Sequence, residues 1–204
     1  MLKNVLVLSA AVLLFSYLTC AQENRYDVSL GATAVFSKKS TGNATELVPT
    51  ESGAFLATAR MRFTNHSSLA LNYARTKNSQ IYNTTPFTYR VPVTISEFSG
   101  AYVLSFMQSE KLEPFVFGGA AGLSFYATSS YADTTTQIPI GETRQTQPAL
   151  LYGAGADYRV WHRIAVRLQY RGLFYKAPDF KGSNFFTGAR GHLAEPGVGV
   201  VLKF

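Results

Sequence analysis

Residues 26–36 read YDVSLGATAVF, and this stretch decides the fold class. Every second residue from Tyr26 to Phe36 is apolar, whereas Asp27, Ser29 and Thr33 lie between them. Successive side chains of a β-strand point to opposite faces, so a period of two predicts a strand with one apolar face. The pattern therefore favours a sheet with apolar surroundings on one side only.

The same alternation recurs seven more times along the chain. The further segments are 55–63, 69–76, 97–106, 115–125, 150–159, 164–174 and 194–204. Most are close to the roughly 9–11 residues with which a tilted strand crosses a bilayer. In the fifth of the eight segments, the face that carries Phe115 and Phe125 is interpreted as the apolar outer face. In the fourth, the register stays open, because Val93 and Ile95 fall on the face opposite Phe98.

The connections between the segments alternate in length. Three are tight turns, and four are long and polar. The turns are 64–68, 107–112 and 160–162, and the loops are 37–52, 77–92, 126–147 and 176–190. Short periplasmic turns and long extracellular loops are typical of bacterial outer-membrane barrels. The sequence therefore predicts an all-β fold, an eight-stranded antiparallel up-and-down transmembrane β-barrel with four extracellular loops.

The composition argues against two other classes of protein. Of the 204 residues 15% are charged and 14% aromatic, whereas a typical soluble domain carries about 25% charged residues. No apolar run reaches the ~20 residues of a spanning helix, so helical membrane spans are not expected. The net charge of +7 does not indicate nucleic-acid binding. The arginines alternate into one face of the strands instead of forming an exposed, aromatic-flanked groove.

The N-terminus is interpreted as a secretory signal peptide. Lys3 precedes an apolar stretch over residues 5–18, and Thr19 and Ala21 are the small residues before the predicted cleavage site. A lipoprotein acylated at Cys20 is the alternative interpretation.

The predicted domains follow from that cleavage site. Residues 1–21 form the signal peptide, and residues 22–204 form the outer-membrane β-barrel domain. Cleavage removes Cys20, the only cysteine, so the mature chain must be stable without disulfides and cannot build a thiolate site. We expect no cofactor and no metal.

Aromatic residues gather at both ends of the apolar face. A soluble eight-stranded barrel with an apolar ligand cavity, such as a lipocalin, would show the same alternation. Two aromatic girdles around an aliphatic band instead match the two interfaces of a membrane. The predicted girdle residues are Tyr26, Phe63, Phe106, Phe115, Tyr158 and Phe204 at the short turns, and Phe36, Phe55, Tyr73, Phe98, Phe125, Tyr152 and Phe174 at the long loops.

Three short motifs carry a family resemblance: EFSGAY at 97–102, PFVFGGA at 114–120 and YGAGADYR at 152–159. Together with the signal peptide and the eight strands, they make the chain similar to the small eight-stranded outer-membrane barrels. This group holds the transmembrane domain of outer-membrane protein A and the OmpX-like proteins. Its members range over anchors, adhesins, small pores and lipid-modifying enzymes. The resemblance implies recognition by the barrel-assembly machinery through a terminal signal, which here reads Val198, Val200, Leu202 and Phe204.

Charged residues lie on the face opposite the apolar one. An eight-stranded barrel is nearly filled by its own side chains, and an unpaired buried charge would be costly. We therefore expect a salt-bridge network that blocks the lumen, and we expect Arg171→Ala to raise conductance. The predicted network comprises Asp27, Arg60, Arg62, Glu97, Asp157, Arg159, Arg167, Arg171, Glu195 and Lys203. Its expected contacts are Asp27 opposite Arg62, Asp157 diagonal to Arg167, and Glu195 near Arg171.

Three functional classes stay open at this point. The first is a non-enzymatic structural component of the envelope, the second an adhesin or ligand-binding barrel, and the third a narrow channel for small solutes. An enzyme is not expected. His66 and His162 fall in turns, and His192 has neither a serine two residues away nor a carboxylate on its own face.

The expected partners are outer-membrane lipid and lipopolysaccharide. Basic residues near the outer rim match lipopolysaccharide phosphates in charge. These residues are Arg75, Lys176, Lys181 and Arg190. A monomer is expected, because a closed barrel has no free strand edge. No domain follows Phe204, so the peptidoglycan anchoring of longer relatives is not expected.

Overall fold

Eight long strands form the body of the molecule, and two short hairpins lie in its loops. The computed structural model describes residues 25–106, 111–129, 131–132, 136–137, 141–182 and 185–204. The barrel strands are β1 (Tyr26–Ser37), β4 (Ser52–Arg62), β5 (Ser67–Thr84), β6 (Phe87–Ser105), β7 (Leu112–Ala127), β10 (Arg144–Arg159), β11 (Ile164–Lys176) and β12 (Arg190–Lys203). The hairpin strands are β2 (Ser40–Gly42), β3 (Thr45–Pro49), β8 (Tyr131–Ala132) and β9 (Thr136–Gln137). The predicted signal peptide lies outside the described residues.

Each barrel strand pairs with its neighbours in the chain, and the last strand pairs with the first. Asp27 of β1 faces Lys203 of β12 on one side and Arg60 of β4 on the other. The ring therefore closes in an antiparallel, up-and-down order, which confirms the predicted fold class. No helix in the described part of the chain has the length and hydropathy to span a bilayer.

The alternation of burial along the strands follows the predicted period of two. In β1, Asp27 and Ser29 are buried, whereas Leu30 is 55% exposed on the outer wall. The open register of the fourth segment is now settled. Glu97 points into the barrel in β6 and Phe98 points out, with 68% of its surface exposed. Outward apolar and inward polar side chains are the pattern of a transmembrane barrel.

The predicted orientation of the fifth segment was wrong. In β7, Phe115 and Phe125 are buried inside the barrel, so neither belongs to an aromatic girdle. The reason lies two residues before Phe115: Glu113 shares its face and pairs with Lys203 in the lumen. A carboxylate facing lipid would be unsatisfied, so Glu113 fixes the register and carries the phenylalanines inward. Tyr126 takes the outer-girdle place on β7, and the other predicted girdle residues lie on outward positions.

The loop at 77–92 also differs from the prediction. β5 and β6 continue as one hairpin to Thr84 and Phe87, with only Thr85 and Pro86 between them. Apolar residues alternate with polar ones in this extension, so apolar side chains share one face above the barrel. β3 pairs with β5 over residues 45–49. The loop at 37–52 likewise contains the β2–β3 hairpin. The turns predicted at 64–68 and 160–162 are short and cover 63–66 and 160–163; of the third predicted turn, residues 107–110 lie outside the described part.

The loop after β11 folds inward and covers the outer mouth of the barrel. We call residues 177–182 and 185–189 the cap. Phe180 is fully buried in the same apolar cluster as Phe125 and Leu173. Gln145 binds the cap through both ends of its amide, which donates to Asp179 Oδ1 at 2.8 Å and accepts from the Asp179 and Phe180 N–H groups at 2.9 Å. The cap is therefore part of the packed interior.

The extended hairpin holds the cap from the other side. The Tyr82 hydroxyl donates to the Pro178 carbonyl at 2.7 Å, and its ring lies 5.0 Å from that of Phe185. Burial raises the pKa of Tyr82 well above its usual range, so the donor stays protonated at neutral pH.

We expect Tyr82→Phe to loosen the cap without disturbing the barrel. The ring contact with Phe185 is kept, but the buried Pro178 carbonyl loses its donor, at a cost of about 1 kcal/mol. Hydrogen exchange of the cap amides should become roughly fivefold faster. Tyr102→Phe is the control, because the Tyr102 hydroxyl bonds the Ser67 hydroxyl on the outer wall. Equal exchange rates in both variants would contradict this role of Tyr82.

Candidate functional site

The inner half of the lumen, near the short turns, is filled by one ion cluster. Arg60 on β4 donates from Nε to Asp27 at 2.7 Å and from its terminal nitrogen to Asp157 at 2.5 Å. Arg167 on β11 contacts the same two carboxylates, with Nε 2.7 Å from Asp157 and a terminal nitrogen 3.3 Å from Asp27. Two arginines and two aspartates therefore form a closed four-membered ring across the barrel, from strands β1, β4, β10 and β11.

A second group of contacts widens this cluster toward the turns. Glu113 accepts from Lys203 Nζ at 2.9 Å, from Arg62 at 2.9 Å and from the Ser105 hydroxyl at 3.1 Å. Arg62 also lies 3.5 Å from Asp27, which joins the two groups. Every strand that contributes here places its charge on the inward face, so the network ties β1, β4, β7 and β12 together across the lumen.

The ring of Phe115 lies against both central arginines. The guanidinium carbons of Arg60 and Arg167 are each 5.3 Å from its centroid. Cations at this distance from an aromatic face are attracted to it, and the ring also excludes water from the ion pairs. The residue whose outward orientation was wrongly predicted is therefore part of the lumen packing.

A separate triad lies nearer the outer end of the barrel. Arg171 on β11 contacts Glu97 on β6 and lies 3.4 Å from Glu195 on β12. All three side chains are buried. One guanidinium between two carboxylates leaves this triad with one formal negative charge.

Above the triad the lumen becomes apolar. Phe125 and Leu173 are fully buried there, and the rings of Phe125 and Tyr175 are 5.6 Å apart. The cap closes this layer from outside. The cavity that adjoins Arg60, Arg167 and Arg171 has a volume of about 20 Å³, which is room for about one water molecule. The described lumen therefore has two successive seals, one of ion pairs and one of apolar side chains.

The structure brings nine of the ten predicted network residues into the lumen. Arg159 is the exception, because it lies exposed at the end of β10 and none of its described contacts is an ion pair. The sequence analysis missed Glu113. With Glu113 in place of Arg159, the lumen holds five cations and five carboxylates. The predicted set had six cations and four carboxylates, and this imbalance in a buried site was a signal that a carboxylate was missing.

Two of the three expected contacts need correction. Asp27 is the cross-strand partner of Arg60, and Arg62 lies one step nearer the turn. Asp157 lies directly opposite Arg167 and not diagonal to it. Glu195 is opposite Arg171, as expected. The turn between β10 and β11 covers 160–163 and not 160–162, and a shift of this size moves every pair between these two strands.

His192 is the histidine that lies near the outer ends of the strands. It shares a 2.9 Å hydrogen bond with the Tyr152 hydroxyl and packs at a tilt against Phe174, with ring centroids 4.5 Å apart. No serine or carboxylate bonds to it in the described part of the chain. Within the same ranges, no group of three or more His, Cys, Asp or Glu side chains could hold a metal ion.

The comparisons with known proteins decide the family. A family model described as outer membrane protein beta-barrel domain matches residues 7–204. The chain belongs to this family. It is therefore a transmembrane β-barrel of the bacterial outer membrane. The comparison with curated protein sequences gave no match.

Solved structures share the barrel fold at low sequence identity. OprG from Pseudomonas aeruginosa has a TM-score of 0.62 at 12% identity, over 88% of this outer-membrane barrel and 95% of OprG. Neisserial surface protein A has a TM-score of 0.53 at 18% identity, over 88% and 97% of the two chains. Ail, the attachment invasion locus protein of Yersinia pestis, has a TM-score of 0.52 at 13% identity, over 89% and 100%. At such identities the likeness shows the fold alone.

Proposed function

We propose that this outer-membrane barrel is a non-enzymatic structural component of the envelope whose lumen is closed. The observation that carries the proposal is the double seal, in which an ion-pair layer containing Arg60 and Arg167 lies below an apolar layer around Phe125. A solute would have to break buried ion pairs and then displace packed apolar side chains. Each step is costly, because the side chains of both layers are buried.

Liposome swelling tests this proposal. The purified, folded protein is inserted into liposomes at a known protein-to-lipid ratio and diluted into small sugars, with a general porin as the positive control. We expect swelling at the rate of protein-free liposomes. Swelling that increases with the amount of folded protein would instead favour the third functional class, the narrow channel.

The terminal strand supports insertion by the barrel-assembly machinery. Val198, Val200 and Leu202 point outward from β12 and are about half exposed, and Phe204 follows at its end. The signal peptide over residues 1–21 is the matching proposal for export to the periplasm.

The projecting hairpin favours a second candidate function, recognition at the cell surface. β5 and β6 continue beyond Thr76 for eight more residues to Thr84, which is ~26 Å of strand at ~3.3 Å per residue. Phe87 and Arg90 are exposed near its tip. Exposed loops on a rigid scaffold commonly carry binding functions. Shortening this hairpin should abolish surface binding if that candidate is correct.

A further inference from the structure

We infer that the outer wall of this barrel carries a specific site for the lipid A part of lipopolysaccharide, with one acyl chain in a groove across β10, β11, β12 and β1 and a phosphate on the cations above it. The inference deepens the proposed function, because it needs the barrel to lie in the outer membrane with its long loops outside. The closed lumen and the lipid site can each be disproved without the other.

The groove lies on the membrane-facing wall and is built from small side chains. Its volume is about 970 Å³. Ala34, Ala154 and Ala156 line it, and Tyr170 and Val198 form part of its walls. On the neighbouring surface, aromatic and leucine side chains project into the membrane. A groove of this kind in a lipid-facing wall fits an acyl chain, which is apolar and flexible.

The wall is also interrupted at this place. The pairing of β1 with β12 skips Ala34 and Val35, opposite Pro196 and Glu195, and proline has no N–H with which to pair. Ala34, Gly53 and Pro196 line the groove at this break, whereas the Thr33 side chain points into the lumen with Ser29.

The groove leads upward to an aromatic stack. On β12 the outward positions above Pro196 are Ala194, His192 and Arg190, in that order. The Tyr152 ring stacks on Phe174 and on His192, with centroids 5.6 and 6.2 Å apart, and His192 packs at a tilt against Phe174. The distance from Pro196 to Arg190 is ~20 Å along the strand, and the strand is tilted. This span matches the ~15 Å hydrocarbon depth of one leaflet, half of the ~30 Å core.

Three cations lie directly above the stack on adjacent strands. Lys176 of β11 is the cross-strand partner of Arg190 of β12, and the Lys38 N–H bonds the His192 carbonyl. All three side chains are exposed, and none forms an ion pair within the described ranges.

Two other rim lysines form ion pairs. Lys39 pairs with Glu46 at 3.6 Å, and Lys181 pairs with Glu142 at 3.5 Å. The cations above the groove have no carboxylate partner in the described ranges, and Lys176 lies 5.9 Å from the Phe186 ring, so their charge matches a phosphate. Of the four rim residues predicted from the sequence, Lys176 and Arg190 belong to this site, whereas Lys181 and Arg75, which lies on β5, do not.

Native mass spectrometry of the folded full chain in detergent tests the site, with purified bisphosphorylated lipid A as the probe and phosphatidylglycerol as the competing lipid. The double variant Lys176→Gln with Arg190→Gln should weaken lipid A binding roughly tenfold or more, since a cation near an anionic lipid surface contributes about 1 kcal/mol. Ala34→Phe, which fills the groove, should also weaken it. The matched control, Lys39→Gln with Lys181→Gln, removes the same charge and should bind as the unmodified chain does.

Three results would overturn the inference. The first is a loss of lipid A binding in the control that equals the loss in the double variant. The second is unchanged lipid A binding in both test variants. The third is binding of phosphatidylglycerol that is as tight as binding of lipid A. Unheated and boiled gel mobility checks that each variant is folded, and liposome swelling reports the lumen seal separately. A failure of the lipid site therefore leaves the proposed function standing, and a conducting lumen leaves the lipid site standing.

Discussion

Replacing Asp157 by alanine is expected to destabilise the folded barrel by about 3–5 kcal/mol, because the change leaves two buried cations underpaired. Asp157 accepts from both Arg60 and Arg167, and Asp27 alone cannot satisfy the two guanidinium groups. A buried ion pair does not by itself prove high stability. Removing one partner is nonetheless costly, since the other charge stays in a dry lumen.

The measurement is urea unfolding of the protein refolded in lipid vesicles, followed by gel mobility and circular dichroism. Arg159→Ala is the matched control on the same strand, because Arg159 is exposed at the end of β10. Arg159→Ala should change the free energy of unfolding by no more than about 0.5 kcal/mol. Equal unfolding midpoints for the Asp157 and Arg159 variants would show that the ion ring contributes nothing to the fold.

The second large effect is expected only when both seals are opened. The single change Arg171→Ala, which the sequence alone predicts to raise conductance, removes the cation of the Glu97 triad but leaves the apolar layer around Phe125 in place. We now expect Arg171→Ala and Phe125→Ala to conduct no more than the unmodified barrel as single changes. The triple variant, which adds Arg167→Ala and so opens the ring around Asp157 as well, should give discrete conductance steps.

The triple variant should also select cations. Without Arg171, Glu97 and Glu195 face the widened lumen without their cation and attract positive ions. Planar-bilayer recordings with a salt gradient give both the step size and the reversal potential. Gel mobility shows whether each variant is folded. Conductance in either single variant would show that one layer alone closes the lumen.

The sequence predicts the barrel and most of its lumen because one physical rule governs both. Lipid on one side and a narrow interior on the other force a strict period of two, so Arg60, Arg167 and Arg171 can be placed inward from alternation alone. Where a strand has apolar residues on both faces, the alternation does not show which face points into the barrel. β7 is such a strand, and only the single charge of Glu113 distinguishes its faces.

Features that depend on distant contacts could not be predicted in this way. The cap is held by Gln145 and Tyr82, which are far from it in the chain. The extended hairpin depends on the packing of β5 and β6 on the cap and on β3, and its local signal in the sequence is the alternation of Tyr89, Val91 and Val93. The lipid groove depends on the side-by-side placement of Ala34, Ala154 and Pro196, which register alone creates.

The measurement that tests the central claim most directly is the single-channel conductance of the unmodified, folded barrel in a planar bilayer. The closed lumen predicts no steps above the noise of the bare bilayer at any moderate voltage, because the ion ring at Arg60 and the apolar layer at Phe125 both stay intact. Stable, repeated steps from protein that is folded by gel mobility would contradict the double seal and the structural role built on it.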